Sequence, residues 1–252
     1  MTRRLAAMTT TEAAAAVVDS PVVLLPAGAF EQHGPGLPLA TDLVRAEAVS
    51  DRVAARMDGG AVVGPSLPVG VSPHHLEFAG TVSLRTSTFA AVLNDYVDGL
   101  YRHGWRKILV VTGHGGNDAT LGTVAQDLLV TRPDLQFAWS PLTSLASDVV
   151  AAAEPSEVTG HSGEAETAQM LALAPDLVHP DRLAPGTTRS SELDPLGALA
   201  RRGGPKLTVG YDRLTGNGVL GDPRRAHPEH GEAIVEAIVA RITDFVAAWL
   251  KT

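Results

Sequence analysis

The stretch that decides the fold of this 252-residue chain runs from Val22 to Asp42 and reads VVLLPAGAFEQHGPGLPLATD. Its apolar start, Val22 to Leu25, predicts a buried strand, and the Pro-Ala-Gly that follows indicates that the strand ends in a turn. Glu31, His33 and Asp42 then occur within twelve residues, on a loop rich in Gly and Pro. The stretch therefore combines a core strand with a cluster of chemically active side chains.

Carboxylates and an imidazole on a loop that leaves a strand form a ligand set suited to a divalent metal ion. The carboxyl ends of strands are also where α/β proteins place their functional loops. The plain alternative is that the three side chains are solvated on a polar surface loop, because short motifs often match by chance. The segment alone leaves both interpretations open.

Patterns typical of strands and helices alternate along the rest of the chain. Strands or extended segments are predicted at residues 22–25, 61–63, 80–84, 107–112 and 135–139, and helices at residues 13–18, 41–57, 87–103, 118–130, 164–173 and 229–250. The alternation predicts one α/β domain over residues 1–252, with a largely parallel sheet and helices on both faces. Thr10 or Thr11 is expected to cap the first helix, and Gly104 to end the third. Residues 175–207 are expected to form an irregular excursion or lid.

Composition narrows the class of partner and of metal site. The chain carries 20 Lys and Arg against 28 Asp and Glu, a net charge of −8, which argues against nucleic acid or an anionic membrane as a partner. Cysteine does not occur, so a metal would have to be held by His, Asp and Glu, which suits Zn, Mn or Fe(II). Residues 1–8 are weakly basic with no long apolar stretch after them, so no export signal is predicted and a cytoplasmic protein is expected.

Three further segments carry candidate ligands. His114 lies in Gly-His-Gly-Gly-Asn directly after the clearest predicted strand, where it could bind a metal or only hydrogen-bond to backbone. His161 precedes a helix start that contains Glu164 and Glu166, and these carboxylates could be ligands or ordinary helix caps. In the His74-His75 pair, adjacent side chains point in different directions, so at most one is expected to face the site.

Five residues of these segments, Glu31, His33, Asp42, His114 and Glu166, give three carboxylates and two imidazoles, which is more than one catalytic zinc ion needs. The set fits two metal ions that share a bridging carboxylate. Two such ions about 3.5–4 Å apart can activate a water molecule and polarise a carbonyl oxygen. The predicted metal ligands are Glu31, His33, Asp42, His114 and Glu166.

These residues resemble the creatininase (creatinine amidohydrolase) family. The resemblance rests, in the family's order, on residues 25–35 with Asp42, on residues 78–84, on Gly113–Asn117 and on His161–Thr167. It implies a three-layer α/β/α sandwich, a dinuclear metal site, hydrolysis of amide-like C–N bonds and assembly as a homohexamer.

The resemblance also implies a role for each ligand by position. Glu31 and His114 would bind one metal ion. His33 and Glu166 would bind the other, and Asp42 would bridge the two.

Some positions depart from the family pattern. Gly116 stands where creatininase has the carboxylate of its second metal, which is why that role is given to Glu166. Glu157 stands where creatininase has a Trp, so creatinine is not expected as the substrate. His161 matches a family histidine thought to handle protons near the substrate, and it is the predicted catalytic residue. Further differences, none at a predicted ligand, are found at Gly36, Ala40, Pro73-His74 and Ala168.

The C-terminal third resembles one branch of the family. Residues 201–204 and 216–223 are similar to the branch that acts in mycofactocin biosynthesis and removes a C-terminal Val-Tyr dipeptide from a modified precursor peptide. The resemblance thus implies a metal-dependent peptidase. One alternative is another amidohydrolase of the family, acting on a cyclic amide or formamide. The other is a non-catalytic assembly protein that keeps its metal for structure.

Overall fold

The centre of the chain is a sheet of parallel strands. The computed structural model describes residues 3–252, so Met1 and Thr2, on which part of the export-signal prediction falls, lie outside the described residues. The sheet order is β2-β1-β3-β4, and each neighbouring pair is parallel. The strands are β1 (Val22–Ala27), β2 (Ala61–Val63), β3 (Lys107–Thr112) and β4 (Gln136–Pro141).

Helices cover both faces of this sheet because alternate strand residues point in opposite directions. Val23 and Leu25 pack against apolar residues of the helices at residues 86–102 and 118–131. Val22 and Leu24 point the other way and pack against those of the helices at residues 41–56 and 228–249. The predicted three-layer α/β/α sandwich with a parallel sheet is confirmed. The helices are α1 (Thr10–Asp19), α2 (Thr41–Arg56), α3 (Thr86–Arg102), α4 (Asp118–Thr131), α5 (Leu142–Leu145), α6 (Ser147–Ala152), α7 (Glu164–Leu173), α8 (Pro195–Arg201) and α9 (Pro228–Trp249).

One strand end differs from the prediction, and the structure decides between the two alternatives predicted for residues 80–84, a strand or an extended segment. Pro26 does not end β1, which continues to Ala27. The neighbouring strand β2 ends at Val63, opposite Leu24, so it does not pair with Pro26. Proline is tolerated in a strand where the neighbouring strand has ended. Residues 80–84 are an extended segment and not a strand of the sheet. Their contact is an antiparallel bridge between Val82 and Phe30, in which the Val82 N–H donates to the Phe30 carbonyl at 2.8 Å.

The helix ends follow local hydrogen bonding. Thr9, and not Thr10 or Thr11, caps α1, because its side chain accepts from the Glu12 N–H while the Glu12 carboxylate accepts from the Thr9 N–H. Gly104 ends α3 as predicted, with a φ of 110° that favours glycine.

The segment between α7 and α9, residues 174–227, extends beyond the predicted excursion of residues 175–207; this whole segment, called the excursion below, is partly helical and returns to the sheet's carboxyl edge. It contains α8, which Asp194 caps by accepting from the Gly197 N–H at 2.6 Å. Further along, the Leu220 N–H donates to the His161 carbonyl at 3.0 Å. This excursion therefore reaches the segment that carries the predicted catalytic histidine. No helix between residues 3 and 252 is both long and apolar enough to cross a bilayer.

Candidate metal centre

The carboxyl ends of β1 and β3 bring the predicted ligands to one place. Glu31 and His33 lie on the loop after β1, Asp42 lies in the first turn of α2, and His114 directly follows β3. Because β1 and β3 are neighbours in the sheet, these loops are adjacent. Glu166 joins them from the first turn of α7. All five side chains converge, and the four other than Glu166 are buried.

Asp42 lies between two histidines. Its Oδ1 is 3.4 Å from Nε2 of His33, and its Oδ2 is 3.3 Å from Nδ1 of His114. On one side, Oε1 of Glu31 lies 3.2 Å from Nδ1 of His114. On the other, Oε2 of Glu166 lies 3.8 Å from Nε2 of His33. The geometry therefore pairs one carboxylate with each histidine and places Asp42 in contact with both pairs, as a bridging ligand requires.

Backbone carbonyls determine which ring nitrogen of three histidines carries the proton. A carbonyl oxygen only accepts, so the ring nitrogen beside it must be the N–H. When the ring is neutral, its other nitrogen directs a lone pair at the carboxylates, which is the state a metal-ligating imidazole needs. The three contacts are His33 Nδ1 to the Glu31 carbonyl (3.2 Å), His114 Nε2 to the Val71 carbonyl (3.0 Å) and His161 Nε2 to the Gln32 carbonyl (2.7 Å).

Several buried polar atoms at this point lack a hydrogen-bond partner among the described residues. They are both carboxylate oxygens of Glu31, Nε2 of His33 and Oδ2 of Asp42. A buried polar atom without a partner costs about 1–3 kcal/mol, so a cluster of them indicates a ligand that satisfies them. The ligand atoms of Glu31, His33 and Asp42 lie within 4.8 Å of one another. Nitrogen and oxygen donors in this arrangement fit Zn, Mn or Fe(II).

Charge dominates the protonation of these groups. Burial lowers the pKa of His33, but the charge of Asp42, 3.4 Å away, outweighs burial and raises the pKa to about 9. Burial likewise raises the pKa of Asp42, but the charge of His33 outweighs it and holds that pKa well below its usual range. The carboxylates thus favour a positive charge beside them, which protons or metal cations can supply.

Arg45 is a residue of this site that the sequence analysis missed. It is fully buried on α2 and donates to Oε1 of Glu166 at 2.8 Å and to Oε1 of Gln169 at 3.1 Å. Its Nη1 also lies 3.4 Å from Oδ1 of Asp42. The guanidinium therefore orients two predicted ligands and offsets part of their charge. The available signal was its position four residues before Val49 on the buried face of the helix.

Glu164 and Glu166 have different roles although both begin α7. Oε2 of Glu166 accepts from the Ser162 N–H at 2.7 Å while facing His33. Glu164 points away and accepts from surrounding loops, so it fits neither a ligand nor a simple cap. Its donors are the Ser156 N–H (3.1 Å), the Thr159 hydroxyl (2.9 Å) and the Asp222 N–H (3.0 Å). Glu164 is therefore a structural clamp that joins these loops.

Both histidines of the His74-His75 pair face the site, so the expectation that at most one would do so is wrong. They lie in a tight turn with ring centroids 4.4 Å apart, and His74 stacks on His114 at 5.5 Å. His75 is buried, with Nε2 3.4 Å from Oε1 of Glu31. Tyr211 from the excursion packs on His75 with ring centroids 4.0 Å apart, and sequence periodicity offered no signal for it.

His161 is placed to exchange protons. Its Nε2–H is held by the Gln32 carbonyl, and its free Nδ1 lies 3.5 Å from Oε1 of Glu31. Burial lowers the pKa of His161, and the neighbouring charge of His33 lowers it further. The ring is therefore neutral near pH 7, with a basic nitrogen directed at the centre.

A cleft of about 400 Å³ opens onto these side chains. This volume is typical of a small-molecule or peptide-end site. Its lining includes the glycine-rich turn after β3, at Gly113, Gly115 and Gly116, together with His161 and Tyr211. The predicted ligands Asp42, His114 and Glu166 also line the cleft, so a bond held there would lie near both these ligands and the proton-exchanging histidine.

Known proteins share both the sequence and the fold. Residues 6–246 match the family described as Creatininase: Creatinine amidohydrolase. The mycofactocin precursor peptide peptidase of Mycobacterium ulcerans (strain Agy99) is 34% identical over 237 residues, covering 91% of this chain and 86% of that protein. A solved structure described as creatininase Mn superposes with a TM-score of 0.81 and 29% identity over 98% of each chain. A glutamate-to-glutamine mutant of creatininase of the Zn-Zn type gives the same TM-score and identity over 98% of this chain and 97% of its own.

Proposed function

Because this chain belongs to the creatininase family of binuclear metal amidohydrolases, we propose that it is a peptidase of the mycofactocin precursor peptide. In this proposal it removes a C-terminal Val-Tyr dipeptide by hydrolysing one peptide bond. The observation that carries the proposal is the 34% identity, over 91% of this chain, to a mycofactocin precursor peptide peptidase. The resemblance of residues 216–223 to the mycofactocin branch of the family agrees with this proposal.

The proposed metal ligands follow from the convergence of side chains. Glu31 and His114 hold one ion, His33 and Glu166 hold the other, and Asp42 contacts both. The buried atoms without partners and the lone pairs aimed inward support this assignment. Zn, Mn and Fe(II) are the candidate ions, and the relatives solved as manganese and zinc forms support the first two. When bound, two such ions would activate a water molecule and polarise the scissile carbonyl.

His161 moves the proton in this proposal. Since its Nε2–H is engaged by a backbone carbonyl, the exchangeable position is Nδ1. Nδ1 takes a proton from the attacking water and then donates it to the leaving amine nitrogen, which cannot depart as an anion. A neutral ring with a lowered pKa is in the state that the first of these steps requires.

The cleft supports an extended substrate. At Gly115 an added Cβ would meet nothing within 4 Å, so this part of the cleft is open to a peptide backbone. Tyr211 and the imidazole rings of His75 and His161, which also line the cleft, offer flat surfaces for an aromatic side chain, such as that of a terminal Tyr.

The test is mass spectrometry of a precursor peptide that ends in Val-Tyr. The metal-free chain, prepared with a chelator, should leave the peptide intact, and the same chain reloaded with Zn, Mn or Fe(II) should release the dipeptide. A matched peptide that ends in Val-Ala controls for recognition of the terminal side chain. Failure on the precursor, together with cleavage of a cyclic amide or formamide, would favour the other amidohydrolase. A chain that binds metal and cleaves neither would favour the assembly role.

A further inference from the structure

Gln32, between the two predicted ligands Glu31 and His33, is held in one orientation. Its Oε1 accepts from the Gly34 N–H at 2.9 Å, and its Nε2 donates to the Gly218 carbonyl at 3.1 Å. Exchanging the amide oxygen and nitrogen would break both bonds, so the assignment follows from the backbone. The same Nε2 lies 2.9 Å from Nδ1 of His75.

This contact decides the proton position on His75. An amide nitrogen only donates, so Nδ1 of His75 accepts, and the single proton of the neutral ring lies on Nε2. That Nε2–H faces Oε1 of Glu31 at 3.4 Å. In their neutral form, the rings of His33, His114 and His161 present lone pairs to the carboxylates, whereas the neutral ring of His75 presents a proton. Nε2 of His75 is therefore unsuited to ligate a metal, although one nitrogen of the ring lies within 4.8 Å of the ligand atoms of Glu31 and His161.

We propose that His75 is a positioning residue, a fixed N–H donor that orients the Glu31 carboxylate, and that Gln32 sets it in this state. The inference rests on the proposed function, because it takes Glu31 to be a metal ligand. The 3.4 Å separation is longer than the usual N–H···O bond of about 2.7–3.2 Å, which leaves the Glu31 oxygens available to a cation. The ring itself is fixed by Tyr211 at 4.0 Å and His161 at 4.3 Å.

The glycine-rich loop of the excursion completes this arrangement. Gly218 has a φ of 85°, and a Cβ added there would lie 1.8 Å from Oε1 of Gln32. Glycine at this position is thus what allows the Gln32 amide to sit against the loop. Gly216, two residues earlier, has nothing within 4 Å of an added Cβ. The two glycines provide a matched test pair on the same loop.

The experiment measures zinc affinity by competition with a chromophoric chelator. His75→Leu should weaken one of the two zinc sites by roughly 10–100-fold, the usual effect of losing an outer group that orients a metal ligand. His75→Gln, whose amide can supply an N–H, should recover most of that loss. Gly218→Ala should weaken the same site, and Gly216→Ala should not. Because both changes act through one contact, Gly218→Ala should add little in a His75→Leu background.

A second measurement reads the tautomer directly. Nitrogen NMR of the zinc-loaded chain labelled at histidine, with His75 assigned by its loss in His75→Gln, should show the proton on Nε2. A proton on Nδ1, or unchanged zinc affinity in His75→Leu while the wild type binds both ions, would overturn the inference alone. A wild type that binds no zinc would overturn both the inference and the proposed function.

Discussion

Replacing Arg45 by Met removes a fully buried guanidinium that lies beside the predicted ligands Asp42 and Glu166. The change leaves the Glu166 carboxylate without its 2.8 Å partner and Gln169 without a donor to its oxygen. Met fills a similar volume, so the loss is electrostatic and not a cavity effect. The metal-free chain should therefore be strongly destabilised.

The expected size follows from burial. Breaking a buried ion pair by removing one partner costs about 3–5 kcal/mol, because the remaining charge stays buried without compensation. For a chain of this length each kcal/mol lowers Tm by about 2–4 °C, which gives a fall of about 6–20 °C. Arg52 on the same helix is the matched control. It pairs with Glu232 at 2.7 Å on the exposed surface, where Arg52→Met should cost at most about 1 kcal/mol.

The assay is chemical denaturation of the wild type and both variants in excess chelator, repeated with saturating zinc. Zinc should reduce the loss of unfolding free energy in Arg45→Met, since the bound cations then neutralise the carboxylate charge that Arg45 no longer compensates. A loss below about 1 kcal/mol in chelator, equal to that of Arg52→Met, would refute the reasoning that Arg45 compensates buried charge.

Three other predictions test separate parts of the site. Gly116→Ala should weaken zinc binding, because the added Cβ would lie 2.2 Å from Nε2 of His114. Gly115→Ala, whose Cβ would meet nothing within 4 Å, should not weaken it. Equal chelator-competition curves for the two variants would contradict this. Zinc binding at pH 8 should release at least one proton per chain, because the pKa of His33 is about 9 without metal. Since that proton competes with the ion, the zinc affinity should fall as the pH drops below 9. Calorimetry in two buffers of different protonation enthalpy measures this release, and zero release would count against it. Glu164→Ala should cost on the order of 3 kcal/mol in denaturation because it leaves three partly buried donors without their acceptor, yet it should keep the zinc content. A loss of zinc would show that the clamp role is wrong.

Much of the fold could be predicted because the apolar pattern of buried strands is local. Val22–Leu25 and the core of β3, Ile108 to Val111, are continuous apolar runs, and the loops that carry Glu31, His33 and His114 follow them. The end of β1 was predicted wrongly because tolerance of Pro26 depends on where the neighbouring strand stops. Three expectations stay predictions: a single domain over residues 1–252, assembly as a homohexamer and a cytoplasmic location.

The candidate site likewise contains residues that the sequence could predict and residues that it could not. Its ligands stand in short motifs of chemically suited residues, so they could be found before their convergence was seen. Arg45 was missed because helix periodicity was read from apolar residues, and a buried cation does not register in that pattern. Tyr211 and Gly218 come from an excursion without periodicity, and their approach to His75 and Gln32 depends on contacts distant in sequence.

The central claim is that five side chains jointly hold two divalent ions, with Asp42 in contact with both. Elemental analysis of zinc-reconstituted, exhaustively dialysed protein tests it most directly. We predict two zinc ions per wild-type chain, and for Asp42→Ala the loss of the bound zinc together with hydrolysis of the precursor peptide. An Asp42→Ala chain that retains both ions and full activity would contradict the account.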